Sequence, residues 1–165
     1  MSTASSRPRS ARTPVIDVVR ESRLWDQEPE IDVTLQRAIA EAAADAPTDA
    51  ELSIVLTDDA RIRALNLAWR GFDKPTNVLS FPAGGKGAPT HLGDIVIAYE
   101  TVKREALAQD LAFLHHLAHL AVHGFLHLHG YDHEAEAEAE TMEQMERRIL
   151  ARLGIPDPYA AHDAH

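Results

Sequence analysis

No cysteine occurs among the 165 residues. A disulfide framework and thiolate-bound metals are therefore excluded, and any transition-metal site has to use His, Asp or Glu. The absence is compatible with a reducing cytoplasm, which is the expected location. Aromatics are few, but 45% apolar and 25% charged residues are ordinary for a soluble globular protein. No apolar run approaches the roughly 18 residues that span a bilayer, so no membrane partner is expected. The N-terminal stretch "MSTASSRPRSARTP" lacks the apolar core of a secretory signal. Positive charge is in the minority: the net charge is −10, and setting aside Arg7, Arg9 and Arg12 of that stretch leaves −13. Such a balance argues against a protein that coats nucleic acid non-specifically through phosphate contacts, but charge by itself rules out little; no DNA partner is expected. A local basic groove remains compatible with it.

The length fits one domain with a sizeable core. We place that domain at residues 15–155, between a disordered basic tail over 1–14 and a loose C-terminal tail over 156–165. A β-branched run at Val15 to Val19 reads as a first strand. Leu35, Ala38, Ile39 and Ala42 then follow helical spacing, with Asp32 as the expected N-cap. "ELSIVLTDD" predicts a second strand, and "DDARIRALNLAWRG" a helix stopped by Gly71. Two short strands are expected near Asn77 to Phe81 and Leu92 to Ala98, around a loop rich in glycine and proline.

The apolar stripe Leu107, Leu111, Leu114, Ala118, Val122, Phe125 predicts one long buried helix from Thr101 to Leu128, ended by Gly130. A last helix carries Met142, Met145, Ile149 and Leu153 inward, and its six glutamates between Glu134 and Glu146 read as a solvated face. The fold class is therefore α+β: a small mixed β-sheet packed with helices around a central buried helix that carries the metal-binding histidines.

Within "HGFLHLHGYDH", His123, His127 and His133 have the spacing H-x3-H-x5-H. Histidines four apart on a helix share one face, and a helix that stops at Gly130 lets the chain turn His133 back towards them. Three neutral imidazoles would hold one zinc ion and leave a coordination position open, as a catalytic zinc requires. His119, one turn earlier, is a candidate support for a ligand or a contact to substrate, and so is Asp132 beside His133. His115, His116 and His129 read as surface or packing residues. Peptidases with this spacing carry a glutamate after the first histidine; here that place is Gly124. A glycine inside a helix costs about 1 kcal/mol relative to alanine, so close packing or close approach of a substrate has to compensate.

Taken together, "HGFLHLHGYDH", "WRGFDKPTNVLSFP" and "HLGDIVIAYE" resemble the YbeY family of bacterial endoribonucleases, also called rRNA maturation factors. The resemblance implies a single-strand-specific, zinc-dependent endoribonuclease that matures ribosomal RNA, notably at small-subunit ends, and serves ribosome quality control. It implies association with the small ribosomal subunit and assembly factors. The zinc ligands of the family map onto His123, His127 and His133, and an arginine implicated in activity maps onto Arg70. On the residues alone, Arg70 is equally a helix-terminal cation meeting carbonyls. Lys74, Lys86, Arg61, Arg63 and Arg70, with Trp69 or Phe72 stacking on a base, are the candidate RNA contacts. Two alternatives stay open: a zinc peptidase with an unusual base, and a non-enzymatic assembly factor whose zinc holds the last helix.

Overall fold

The computed structural model describes residues 14–83, 91–131 and 136–159. The expected N-terminal tail up to residue 13, the glycine-rich loop with Lys86, both Asp132 and His133, and the end of the C-terminal tail lie outside the described residues. Four strands form one sheet in the order β1-β2-β4-β3. They are β1 (Ile16–Arg20), β2 (Glu51–Thr57), β3 (Val78–Pro82) and β4 (His91–Ala98). β1 and β4 run parallel to β2, while β3 closes the edge antiparallel to β4. The five α-helices among the described residues are α1 (Ile31–Asp45), α2 (Asp59–Arg70), α3 (Tyr99–Gln109), α4 (Phe113–Leu128) and α5 (Glu136–Arg152). The mixed sheet and central helix match the expected α+β class.

Side-chain alternation along the strands divides the core in two. Leu52, Ile54, Leu56, Ile95 and Ile97 face the larger cluster, which α1, α4 and α5 complete. Val96, Ala98 and Leu79 face the other way, where Ile62 of α2 covers them. A sheet covered on both faces explains why β2 and β4 read as near-continuous apolar runs. At the centre lies α4, with Leu117, Ala121, Val122, Phe125 and Leu126 all buried. Each large apolar side chain so enclosed contributes roughly 1.5–3 kcal/mol, which makes the α4 face a substantial part of the core.

Two expectations about elements are corrected. Asp32 does not cap α1: the helix starts at Ile31 after Glu30, whose φ is +66°, and Asp32 sits in the first turn, where it meets the Arg20 guanidinium at 3.1 Å. An acid there still favours the positive end of the helix dipole. A short 3-10 helix, Arg23–Gln27, was also not anticipated; it buries Trp25, whose indole Nε1–H donates to the Thr57 carbonyl at 2.8 Å.

More consequential is the long helix from Thr101 to Leu128, which is two helices bent by 117°. Asp110 takes the left-handed conformation at φ +57°. Its N–H donates to the Leu107 carbonyl at 3.3 Å, and the N–H of Leu111 donates to that of Ala106 at 2.8 Å. That pair of bonds is the Schellman stop, made here on aspartate, which tolerates this conformation better than most residues. Leu107, assigned to the buried stripe, is 73% exposed. By contrast α2 stops where expected, on Gly71 at φ +78°.

Candidate functional site

The first two histidines of the expected triad are brought together. His123 and His127 lie one turn apart on α4 with ring centroids 5.0 Å apart. Beside them stands a residue that sequence reasoning missed. Glu146, assigned to a solvated face of the last helix, is 1% exposed and turned inward against α4. Its Oε2 accepts from Nδ1 of His123 at 2.6 Å, and its Oε1 accepts from Nε2 of His119 at 2.9 Å. The Tyr159 hydroxyl donates to the same Oε1.

Charge at this carboxylate is retained despite its burial. Burial by itself would raise the carboxyl's pKa, but the hydrogen bonds from His119 and His123 outweigh it and hold the group at about 2. Burial first, and the ionised Glu146 second, push the Tyr159 phenol upward, so it stays a donor. An ionised acceptor on Nδ1 of His123 puts the proton there and gives Nε2 the lone pair. A carboxylate that orients an imidazole in this way is the usual support of a metal-ligating histidine.

Among the described residues no three His, Asp or Glu side chains converge as a metal site, and His133 lies outside them. The donors present fit zinc in type and spacing: two imidazoles at i and i+4, one of them with its tautomer set by a buried carboxylate. His119, expected to support a ligand or meet substrate, shares the Glu146 carboxylate with His123.

Gly124 does not face this site. A Cβ there would come within 2.9 Å of Ile95 Cγ2 and 3.1 Å of Ser80 Oγ, which are cross-strand neighbours on β4 and β3. Ser80 also donates to the Gly124 carbonyl at 3.2 Å. Close packing of the helix on the sheet is thus the reason for glycine, and a glutamate at this position would be driven into the sheet.

Next to His119 and His123 opens a cleft of about 280 Å³, also lined by Asn77, Glu105, Gln109, His116 and Tyr159. His116 forms part of its wall and is only 6% exposed. Its Nε2 lies 2.8 Å from Oε1 of Glu105, and Asn77 Nδ2 donates to the same oxygen at 2.9 Å. The bend between α3 and α4 creates this pair. Eleven residues of unbroken helix would separate Glu105 and His116 by about 16 Å.

Arg70 ends α2, on the face of the sheet away from α4, and its guanidinium lies over the Phe72 ring at 5.4 Å. Lys74 approaches the same ring at 5.7 Å. Trp69 is 71% exposed and meets Phe81 of β3 edge-on at 5.9 Å, so the helix end reaches the β3 edge that α4 also crosses. Of the other expected cations, Arg63 pairs with Asp73 at 2.7 Å and Arg61 with Glu21 at 3.7 Å.

The C-terminal segment, expected to be loose from residue 156, is docked at least to Tyr159 through Glu146 and through a ring contact of 5.7 Å with His119.

Comparison with known proteins points one way. The family described as Endoribonuclease YbeY matches residues 19–154. The chain is 58% identical over 159 residues to the endoribonuclease YbeY of Rhodopseudomonas palustris strain BisA53, covering 91% of this chain and 92% of that protein. Against the Nitrobacter winogradskyi protein of the same description, identity is 58% over 158 residues, covering 90% and 83%. Among solved structures, TM1509 from Thermotoga maritima superposes with a TM-score of 0.61 at 23% identity, covering 91% of this chain and 93% of that one. At that identity the likeness bears on the fold.

Proposed function

Because the chain belongs to the endoribonuclease YbeY family, we propose that it is a zinc-dependent endoribonuclease that cuts single-stranded RNA during maturation of ribosomal RNA. Small-subunit RNA ends are the substrate, ribosome quality control is the setting, and the small subunit with its assembly factors is the cytoplasmic partner. One observation carries the zinc part of this reading: the buried Glu146 carboxylate orients His123 beside His127 at the edge of a cleft.

His123, His127 and His133 are the residues that would hold the metal. When bound, zinc supplies a Lewis acid that draws charge from a phosphoryl oxygen. The chain's own groups do the rest. Glu146 fixes the His123 tautomer, and Tyr159 and His119 hold Glu146 in turn. Arg70 is the candidate clamp for the phosphate, since a guanidinium matches two of its oxygens at once and stabilises charge developing on them. Trp69 and Phe72, exposed at the same helix end, offer ring faces to unstacked bases. This local group of cations and rings supplies what an overall charge of −10 does not.

The test is cleavage of a small-subunit rRNA precursor by the wild-type protein and by His127→Ala, with zinc content and thermal unfolding recorded for both. Cutting by wild type alone, with a folded but zinc-depleted variant, is the expected result. No cutting by either, with the variant unfolding far earlier, would replace the enzyme with a zinc-stabilised assembly factor.

A further inference from the structure

Glu105 lines the cleft and has no part in the proposed chemistry. Its Oε1 is committed twice, to His116 and to Asn77. Its Oε2 has no hydrogen-bond partner among the described residues, and the side chain keeps 32% of its exposure. Burial works to raise its pKa, but the hydrogen bonds from His116 and Asn77 outweigh that, and the carboxyl is held below its ordinary value. His116 is itself buried and locked by this contact, and Asn77 is fixed at the start of β3. The carboxylate is therefore rigid, charged and half open, and it shares its cleft with His119 and His123.

Such a group selects its ligand by elimination. An ionised carboxylate only accepts hydrogen bonds, and beside a phosphate it repels. The sugar-phosphate backbone of RNA offers one donor within the chain, the 2′-hydroxyl, and DNA offers none there. Every ribonucleotide carries it whatever its base. We infer that Glu105 accepts a hydrogen bond from a ribose 2′-hydroxyl of the substrate and is thereby a determinant of specificity for RNA over DNA. Asn77 and His116 are positioning residues that aim it. This rests on the RNA-cleaving reading above and names how that site recognises its substrate.

Glu105→Gln is the informative variant. The amide oxygen can still accept from both His116 and Asn77, while an NH2 replaces the open oxygen and presents donors where an acceptor stood. Anisotropy titrations would use the metal-loaded protein and fluorescein-labelled single-stranded ten-mers. One ligand is all-ribose, and the others carry a 2′-fluoro group at each position in turn; binding is read before turnover is detectable. Fluorine removes the donor with little change of sugar shape. We expect one position at which fluorine weakens binding to the wild type roughly 10- to 100-fold, the range of a hydrogen bond to a charged group. In Glu105→Gln the penalty at that position should fall to about threefold or less.

An equal penalty in both proteins, or no sensitive position in the wild type, overturns the assignment. If an abasic unit at the sensitive position removes the Glu105-dependent share instead, the donor is a base N–H and the ribose assignment is overturned. If neither protein binds or cuts RNA, the RNA-cleaving reading falls and this inference with it. If RNA is bound and cut but Glu105→Gln keeps the penalty, only the role of Glu105 falls.

Discussion

Glu146 on α5 and Glu105 on α3 both reach histidines of α4, and they differ in how much of each carboxylate is committed. Glu146 is enclosed, and both of its oxygens are engaged, by His119, Tyr159 and His123. Glu105 has one oxygen committed and the other open to the cleft. A carboxylate sealed from solvent with both oxygens engaged can only hold its neighbours in place. One with an oxygen to spare can meet a ligand. The same residue type, against the same helix, thus serves geometry in one place and recognition in the other.

Removing Glu146 should have the largest effect. Glu146→Ala strands two partly buried imidazoles and a phenol, and breaking a charged network centred on a buried carboxylate costs up to roughly 3–5 kcal/mol. Urea denaturation would measure it. The same variant should lose metal affinity by roughly 10- to 100-fold, as removal of a carboxylate behind a ligating histidine does. Glu105→Gln should change neither quantity to a comparable degree; equal losses would erase the distinction between the two acids.

Gly124→Ala should destabilise by about 1–3 kcal/mol. Overpacking against Ile95 and Ser80 outweighs the gain of about 1 kcal/mol in helix propensity. A stabilised variant in thermal melts would mean that the sheet yields to α4, and that close packing does not explain the glycine.

Tyr159→Phe removes one of the donors to Glu146 and should cost about 0.5–1.5 kcal/mol, since Oε1 keeps its bond from His119. No loss in denaturation would make the docking of the C-terminal segment incidental.

The smallest effect concerns pH. Glu105 titrates below its ordinary range, so its contribution to stability is complete above about pH 4.3, the unfolded value. It is lost as pH falls through the depressed folded value. Glu105→Gln should flatten that acid limb of the stability profile, and an unchanged limb would assign the acid sensitivity to other carboxylates.

Much of this arrangement was legible in the residues. The strands announced themselves by β-branched runs, α2 by its stop at Gly71, and the histidines by a spacing that places His123 and His127 on one face. Glu146 was legible too, since it falls four residues after Met142 and three before Ile149, within the inward stripe. The run of glutamates around it concealed this, and phase alone does not decide burial, since Glu138 lies four residues before Met142 and is exposed. The Asp110 stop was not legible. Glycine signals a left-handed residue, whereas aspartate adopts one only when the surrounding packing favours it. Missing that bend hid the Glu105–His116 pair as well, because contacts across a 117° turn have no signature in helical spacing. The Gly124 alternatives needed three dimensions: only the placement of Ile95 and Ser80 distinguishes a packing glycine from a substrate-facing one.

Zinc dependence is read most directly by stripping the purified protein of metal with a chelator, following its fold by circular dichroism, and assaying cleavage of single-stranded RNA before and after zinc is returned. A retained fold, lost cleavage, and recovery at one equivalent of zinc are the expected results. Undiminished cleavage by the metal-free protein would contradict that dependence.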